Sequence, residues 1–494
     1  MNAALTGSCS RPSLTQLFVL GQQRFERNGE VGLVMAMSSF YDLMWIAFGP
    51  LFLPRSILSY PVAYLSPVFF VVLLSLSGDG RISRTRMLVI LFVAAVNVFV
   101  IAMRGGLLPN FYLALASHSS ILVLVLWPRI TVRGYDSVVR CVLALAWLQI
   151  FIGIAQAVSL GFPMKLPYRD FSEDFFQGSF ASGGARLVAI VLCVAWFIYW
   201  ARYLVSKRKA ELFKSLVMLG ASVFTASIVS VLAAMVCGAL VMARMLRRVG
   251  IVKKLVFVLV SAGFCLVLVQ YANVVVYAQT FFMKYAVMRK LPRLEFLENT
   301  FTRLPSEVPY QPLVGVGLGN YSSWAQAVLA PGYQERFLEG RHVKSGGGAS
   351  VSEVAQENVF YMYEDGSWSL AANSIIGQPF SSWISLYGEV GILGLGGVVL
   401  SMLFQMRLLW KKARQQSDWR AWVGCFVLMY LTVLMVFDNY LEYVWVAYPL
   451  FALGSSAAPV LRGRAVGSEN LAVGQVNGAI CGLISNCQVT NFRL

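Results

Sequence analysis

The most constraining feature of the sequence is a succession of apolar stretches, each long enough to cross a membrane as one helix. A membrane-spanning α-helix needs roughly 20 mostly apolar residues. The alternating segments of about ten residues that a transmembrane β-barrel would show are absent from the sequence. We therefore predict an all-α integral membrane protein with about 12 transmembrane helices, at 36–53, 58–77, 87–104, 111–127, 138–158, 185–203, 211–226, 228–246, 253–277, 386–408, 420–437 and 440–458.

The composition excludes the other broad classes of protein. Only 13% of the 494 residues are charged and 58% are apolar, whereas a soluble domain carries about 25% charged residues. A disordered chain would be far less hydrophobic. The formal net charge of +17 is interpreted as a topology signal on the membrane loops, and no nucleic-acid partner is predicted.

The distribution of basic residues predicts that both termini are cytoplasmic. With the N-terminus placed inside, 27 of the 40 Lys and Arg residues fall on the cytoplasmic side and 13 on the other side. Eight of those 13 lie in one long segment, and long segments are translocated largely regardless of their charge. Twelve spans agree with this bias. With an odd number of spans, half of the basic clusters would be placed on the wrong side of the membrane.

The long segments between spans define the predicted organisation of the chain. Loops longer than about 15 residues are usually functional, and the longest one here contains many aromatic residues, so we expect it to fold partly into helices. The predicted parts are a cytoplasmic tail at 1–35, spans one to nine at 36–277 with an external segment at 159–184, an external loop at 278–385, spans ten to twelve at 386–458 and a cytoplasmic tail at 459–494.

The external segment before the sixth span contains Arg169, Gly178 and Arg186. Glycine lets the backbone approach a ligand closely, and a guanidinium group matches phosphate with two parallel hydrogen bonds. The pattern therefore fits a phosphate or sugar-acid site. It also fits an Arg186 that reaches the lipid headgroups and an Arg169 that pairs with Asp170 or Glu173. The acidic residues of this segment are expected to form ion pairs with nearby arginines, so no metal site and no cofactor are predicted.

Alternating glycines open the long loop between spans nine and ten. Gly315, Gly317 and Gly319 directly precede Asn320, and Arg303 lies upstream. A dinucleotide-binding fingerprint would need the spacing Gly-x-Gly-x-x-Gly after a strand. We therefore predict a tight glycine-rich turn, with a helix beginning near Asn320.

An acidic residue lies at the start of span ten. Glu389 is followed by Gly391 and Gly394. An ionisable residue in a membrane helix is costly in lipid and usually faces protein or water, and the glycines would permit close helix packing. Glu389 is therefore either directly functional, or a structural partner for a buried arginine or a helix end.

In their order and topology, these three patterns resemble the O-antigen polymerase and O-antigen ligase superfamily. The resemblance covers about 165–190 and 300–395, and it rests on Gly178-Ser179-Phe180 before a helix, on Pro312-Leu313-x-Gly315-x-Gly317-x-Gly319 and on Glu389-x-Gly391-x-x-Gly394. It implies a GT-C-like fold in the bacterial inner membrane and a glycosyltransferase that uses polyprenyl-pyrophosphate-linked oligosaccharides at the periplasmic face. A chain-length regulator and a flippase would be candidate partners beside the lipid bilayer.

The resemblance also implies roles for individual residues. Arg169 and Arg303 would neutralise the departing pyrophosphate, and Glu389 would complete the catalytic set. The residues expected to bind substrate are Arg186, Gly178, Gly315, Gly317, Gly319, Asn320, Arg341 and His342. The identity of a general base stays open among Glu389, His342, Glu357 and Asp170.

The sequence leaves three other functions open. A ligase of this superfamily would carry a His-Asn pair shortly before Glu389, where this chain has Pro379 and Phe380, so a polymerase is favoured. A transporter tends to show ionisable groups at mid-membrane, and the predicted spans are nearly free of them. A scaffold of an export complex would not need the arginine–glycine pattern. The polymer could be O-antigen, capsule or exopolysaccharide.

Overall fold

The computed structural model describes residues 84–103, 108–118, 120–121, 129–162, 176, 178–180, 184–225, 227–245, 292–323, 326, 351–361, 381–416, 418–440 and 444–458. The chain divides into two compact units, residues 1–457 and 458–494, and every described helix lies in the first.

The first described half of the chain is helical apart from one short strand. A three-residue 3-10 turn, Gly178–Phe180, lies between its third and fourth helices. The elements are Arg84–Met103 (α1), Leu108–His118 (α2), the strand Arg129–Thr131 (β1), Val132–Ser159 (α3), Ala185–Ser206 (α4), Lys209–Phe224 (α5) and Ile228–Met245 (α6).

Short helices fill the segment that the sequence predicts to be a partly helical loop. Two of them continue into π-helical turns, Asn299–Arg303 and Gln356–Phe360. Proline lies in the first turn of two of the short helices, Leu304–Glu307 and Gln311–Val314, a position where its missing N–H costs nothing. The helices are Pro292–Glu298 (α7), Leu304–Glu307 (α8), Gln311–Val314 (α9) and Glu353–Ala355 (α10).

Three helices follow this segment. They are Ser382–Gln416 (α11), Trp419–Phe437 (α12) and Val444–Gly454 (α13). The Asp418 side chain caps α12 by accepting a hydrogen bond from the backbone N–H of Arg420. A second strand, Ser456–Ala458 (β2), forms a two-stranded sheet with β1.

The centre of the described bundle is α4. It packs against α3, α5, α6 and α12. In its most apolar stretch of 18 residues, 72% is buried inside the protein, whereas the corresponding value for α11 is 17%. The contact between α4 and α12 includes Phe197 stacked on Phe426, with ring centroids 4.1 Å apart. There is also a separate small core, which contains Phe296, Leu304, Tyr321 and Phe360. It is formed by α7, α8, α10 and the residues that follow α9.

The structure confirms the all-α class and contains helices that are long and apolar enough to cross a membrane. Five described helices are long and apolar enough to cross a membrane: Val138–Ser159, Ala185–Ser206, Ile228–Met245, Ser382–Gln415 and Trp419–Phe437. They correspond to the predicted spans 138–158, 185–203, 228–246, 386–408 and 420–437.

The total of about 12 spans remains a prediction. The predicted spans 111–127, 211–226 and 440–458 correspond to α2, α5 and α13, which are 11, 16 and 11 residues long. At 87–104, α1 contributes a shorter apolar stretch, Ile90–Met103. The predicted spans 36–53, 58–77 and 253–277 lie outside the described residues.

Candidate functional site

Residues 315–323, called the glycine segment from here on, lie directly against the start of α11. There α11 is broken at Gly391, whose φ and ψ are 62° and −168°. The carbonyls of Gly388 and Glu389 accept hydrogen bonds from the backbone N–H groups of Val316 and Gly317, both at 2.9 Å. Two motifs about 70 residues apart in sequence therefore form one structure.

Two glycines make this approach sterically feasible. Gly315 has φ 77° and ψ −173°, and a Cβ atom placed on it would lie 2.1 Å from the Glu389 carbonyl oxygen. A Cβ atom on Gly391 would lie 2.4 Å from the carbonyl carbon of Leu313. Both glycines adopt a backbone conformation that is essentially restricted to glycine. Each one thus leaves room for the backbone of the other motif.

The carboxylate of Glu389 is enclosed by the glycine segment. Its side chain is fully buried, and its Oε2 accepts a hydrogen bond from the Gly319 N–H at 2.9 Å. Its Oε1 accepts from the N–H groups of Ser323 at 3.1 Å and Tyr321 at 3.4 Å. Successive N–H groups that converge on one point form an anion-binding concavity. In this structure the anion is the side chain of Glu389, which fixes the shape of the segment.

Further side chains tie the glycine segment to helix α10. Ser352 donates its hydroxyl to the Asn320 carbonyl at 2.7 Å and its backbone N–H to Gln326 Oε1 at 2.9 Å. Gln326 in turn donates to the Gly319 carbonyl. Asn320 is itself buried, and its Oδ1 has no hydrogen-bond partner among the described residues. The segment is a turn through Ser323, and the described residues 320–323 do not begin the helix that the sequence predicts there.

A polar corner, Asp438-Asn439, connects this region to the end of α12. Asn439 accepts a hydrogen bond from the Ser385 hydroxyl at 3.0 Å and donates to the Ser322 carbonyl at 2.8 Å. The Asp438 carbonyl accepts from both the N–H of Ser382 at 3.2 Å and its hydroxyl at 3.0 Å. The corner therefore holds the start of α11 and the end of the glycine segment together.

Two arginines lie close to the corner. Arg186, in the first turn of α4, places Nη1 3.6 Å from Oδ2 of Asp438, and the two side chains are 14% and 5% exposed. Arg293, in α7, donates to the carbonyl of Val436. Burial lowers the pKa of the Arg293 guanidinium, and the negative charge of Asp438 acts in the opposite direction. The corner thus joins the predicted binding residue Arg186 to the same polar network.

Two glutamines of α3 hold the turn at Gly178. Gln156 accepts the Gly178 N–H and donates to the Gly178 carbonyl, both at 2.8 Å. Gln149 accepts the Ser179 N–H and donates to the Ser179 hydroxyl, again both at 2.8 Å. A Cβ atom on Gly178, whose φ is 61°, would lie 2.0 Å from Gln149 Oε1. The turn therefore needs glycine because the glutamine amide lies against its backbone.

Replacing Gln149 by leucine is expected to destabilise the protein by about 2 kcal/mol, because the Ser179 N–H and hydroxyl both lose their partner. Thermal unfolding of the purified protein in detergent measures the change. Ser159→Ala on the same helix is the matched control, since its hydroxyl is exposed and the change should stay within about 0.5 kcal/mol. Equal stability of the two variants would contradict the clamping role of Gln149.

Arg303 lies at the junction of the two π-helical turns. It pairs with Glu307 at 2.7 Å and donates to the Glu357 carbonyl at 3.3 Å, while its side chain stays 46% exposed. Asn358 donates to Glu307 at 3.2 Å, and Asn299 donates to the Asn358 carbonyl at 3.1 Å. The hydrogen bond to Glu307 raises the pKa of Arg303, so the side chain is a permanently charged group, fixed in place and open to solvent. π-Helical turns are rare and often occur at functional sites.

Neither a protein-family model nor a curated protein sequence matches the chain.

The structure brings most of the described candidate residues into one region and leaves others untested. Glu389, Gly315, Gly317, Gly319 and Asn320 are in direct contact or adjacent, and the polar corner links them to Arg186. Arg169, Arg341 and His342 lie outside the described residues. Among the residues that are described, no group of three or more His, Cys, Asp or Glu side chains could hold a metal ion.

The sequence analysis missed the polar corner and the two glutamines. Asp438-Asn439 lies between two apolar stretches. A polar pair at the end of a span often has a function, so this pattern could have identified the polar corner from the sequence. Gln149 and Gln156 are seven residues apart, so they lie on one face of α3. Their partner turn is distant in sequence, and only the structure reveals the pairing.

Proposed function

We propose that the chain is a polysaccharide polymerase that joins polyprenyl-pyrophosphate-linked oligosaccharide repeat units at the periplasmic face of the bacterial inner membrane. The observation that carries the proposal is the direct contact between the glycine segment and the Glu389-x-Gly391 start of α11. These are two of the three patterns on which the resemblance to the O-antigen polymerase and ligase superfamily rests. The third, Gly178 to Arg186, is linked to them through Asp438.

The topology is part of the proposal. The protein would have about 12 spans, both termini in the cytoplasm and the glycine segment outside. The exposed basic residues Lys207, Arg208 and Lys209 lie at the junction of α4 and α5, at the opposite end of α4 from Arg186. This separation agrees with the positive-inside rule, because the corner region would then face the periplasm.

The reaction would transfer the growing glycan from its carrier to the incoming repeat unit. A hydroxyl of the incoming sugar attacks the anomeric carbon of the growing chain, and the bond from that carbon to the pyrophosphate oxygen breaks. The hydroxyl proton passes to a general base, and the polyprenyl pyrophosphate leaves with its bonding electron pair. Negative charge therefore develops on the leaving group.

Arginines would stabilise this developing charge. Arg303 is suited to the role because it is charged, oriented by Glu307 and exposed enough to meet a ligand. Arg169 and Arg186 would act on the same group, and each well-placed donor is worth about 3 kcal/mol in the transition state. Arg341 and His342 would contact the sugars. Oδ1 of Asn320 has no hydrogen-bond partner among the described residues, and a buried acceptor without a donor is costly. It would accept a hydrogen bond from a sugar hydroxyl of the bound substrate.

The first experiment compares surface glycans and lipid-linked glycans by size in a strain that lacks the chain. We expect single repeat units to accumulate and polymer to disappear. Restoring the chain with Arg303→Ala should fail to rescue at normal protein level, with a loss of about 100-fold for one donor of about 3 kcal/mol. Arg208→Ala, in the α4–α5 turn, is the matched control and should rescue fully.

Each other outcome has a defined meaning. Full-length polymer that accumulates on its lipid carrier would identify a ligase and contradict the polymerase. Unchanged glycans would contradict the whole family assignment, and solute uptake would then be assayed to test for a transporter. Full rescue by Arg303→Ala would remove Arg303 from the site and leave the polymerase assignment intact.

A further inference from the structure

We infer that Asp438 is a positioning residue that orients the Arg186 guanidinium toward the substrate, an inference that rests on the proposed function. Asp438 follows directly after the last residue of α12. None of the three sequence patterns described above includes it. Its backbone and side chain connect two separate parts of the chain that carry candidate functional residues, the start of α11 and the start of α4.

The backbone fixes where the Asp438 carboxylate lies. The residue is extended, with φ −161° and ψ 173°, and its N–H donates to the Leu434 carbonyl at 3.4 Å. Its carbonyl accepts two hydrogen bonds from Ser382 at the start of α11. The side chain is thereby held at a set position relative to the helix that carries Glu389.

The two carboxylate oxygens have different partners. Oδ1 accepts the backbone N–H of Asn439 at 2.7 Å, which fixes the rotation of the side chain. Oδ2 lies 3.6 Å from Nη1 of Arg186. A hydrogen-bonded guanidinium–carboxylate fork has contacts of about 2.7–2.9 Å. The Asp438 carboxylate therefore orients Arg186 mainly through charge and does not form a bidentate fork with it.

The environment makes this orientation effective. Both side chains are largely withdrawn from solvent, at 14% and 5% exposure, so salt screens their attraction less than it screens a surface pair. Among the described residues, Arg293 of α7 is a second cation whose charge acts on the carboxylate. Arg293 is engaged with the Val436 carbonyl, which ties α7 to the end of α12. Asp438 thus lies between two cations that come from different parts of the chain.

The functional consequence follows from geometry. A displacement of about 1 Å in a substrate-positioning group can cost about 100-fold in rate. Asn439 next to Asp438 fixes the end of the glycine segment through Ser322 and the start of α11 through Ser385. Asp438 and Asn439 therefore set the distance between Arg186 and the glycine segment, the two regions that would contact opposite ends of one substrate.

The test is a double-mutant cycle on Asp438 and Arg186. Polymerisation is measured in membrane vesicles with lipid-linked repeat units extracted from the strain that lacks the chain. We expect Asp438→Asn and Arg186→Gln each to lower kcat/KM by about 10- to 100-fold, and the double variant to be no worse than Arg186→Gln alone. Arg208→Ala, at the other end of α4 from Arg186, is the matched control, and it should leave kcat/KM unchanged both alone and combined with Arg186→Gln.

Several results would overturn the inference. They are a normal rate for Asp438→Asn, a double variant whose loss is the product of the single losses, and an Arg186→Gln variant with full activity. If Asp438→Asn does not accumulate, the same cycle is run with Asp438→Glu, which keeps the charge and should show a smaller loss that is again absent in the Arg186→Gln background. All these outcomes presuppose that the unaltered chain polymerises repeat units in the vesicles, and absence of that activity would contradict the proposed function itself.

Discussion

Gly315→Ala is expected to lower the free energy of unfolding by at least about 3 kcal/mol and to abolish the glycan polymerisation that we propose for the chain. The added Cβ atom would lie 2.1 Å from the Glu389 carbonyl oxygen and 2.4 Å from the Val390 nitrogen. These are backbone atoms, so no side-chain rotation can relieve the overlap. The φ of 77° and ψ of −173° also cost a non-glycine residue about 1–3 kcal/mol. Thermal unfolding in detergent, together with the amount of protein in membranes, measures the effect.

The same helix offers matched controls for this prediction. Gly396 and Gly397 lie in α11 beyond the break, and a Cβ atom on either would meet nothing within 4 Å. Alanine at either position should be neutral or stabilising by about 0.5–1 kcal/mol, because glycine in a helix interior costs more conformational entropy. If Gly315→Ala proved as stable as Gly396→Ala, the close contact between the glycine segment and α11 would be wrong.

Glu389→Ala is expected to have the second large effect. Removal of the carboxylate leaves the N–H groups of Gly319, Tyr321 and Ser323 without an acceptor inside the protein. An unsatisfied buried donor costs about 1–3 kcal/mol, so the glycine segment should lose its fold and polymer formation should stop. Proteolytic cleavage between 315 and 323, absent in the unaltered protein, would report the opening of the segment.

Glu389→Gln separates the two roles that the sequence allows for this residue. The glutamine amide keeps one oxygen acceptor but turns an N–H₂ group toward N–H donors. If Glu389 anchors the segment, stability and activity should fall together. A general base would lose activity while stability stayed unchanged, and that result would favour direct catalysis. Glu298→Gln, at an exposed position at the end of α7, is the control for the loss of a charge in the same region.

The part of the fold that could be predicted from sequence is the part that local composition determines. An apolar stretch must be helical in lipid because its backbone groups have no other partners. For that reason the predicted spans 185–203 and 420–437 agree closely with α4 and α12. The short helices α7 to α10 were predicted in kind but not in position, since they depend on a small core of their own that includes Phe296 and Phe360.

The candidate site could be predicted as a set of motifs but not as an arrangement. The alternation of Gly315, Gly317 and Gly319 indicates an unusual backbone, and all three have positive φ. Nothing in the local sequence states that this backbone encloses Glu389. The role of Asp438 was also not predictable, because its partners Ser382 and Arg186 lie 56 and 252 residues away in the chain. Contacts of this kind are set by how helices pack.

The break in α11 at Gly391 separates a part suited to membrane insertion from a part that forms only when the site assembles. The stretch after Gly391 runs to Gln416, about 25 residues, or nearly 40 Å of helix at 1.5 Å per residue. We expect it to enter the bilayer without contacts to the rest of the chain, because it is long and apolar enough to span by itself. The stretch from Ser382 to Val390 cannot be completed at that moment, because Ser382 and Ser385 donate hydrogen bonds to Asp438 and Asn439, which are synthesised later. Membrane insertion and assembly of the site are therefore separate events, and a chain can be fully inserted while its site is still open.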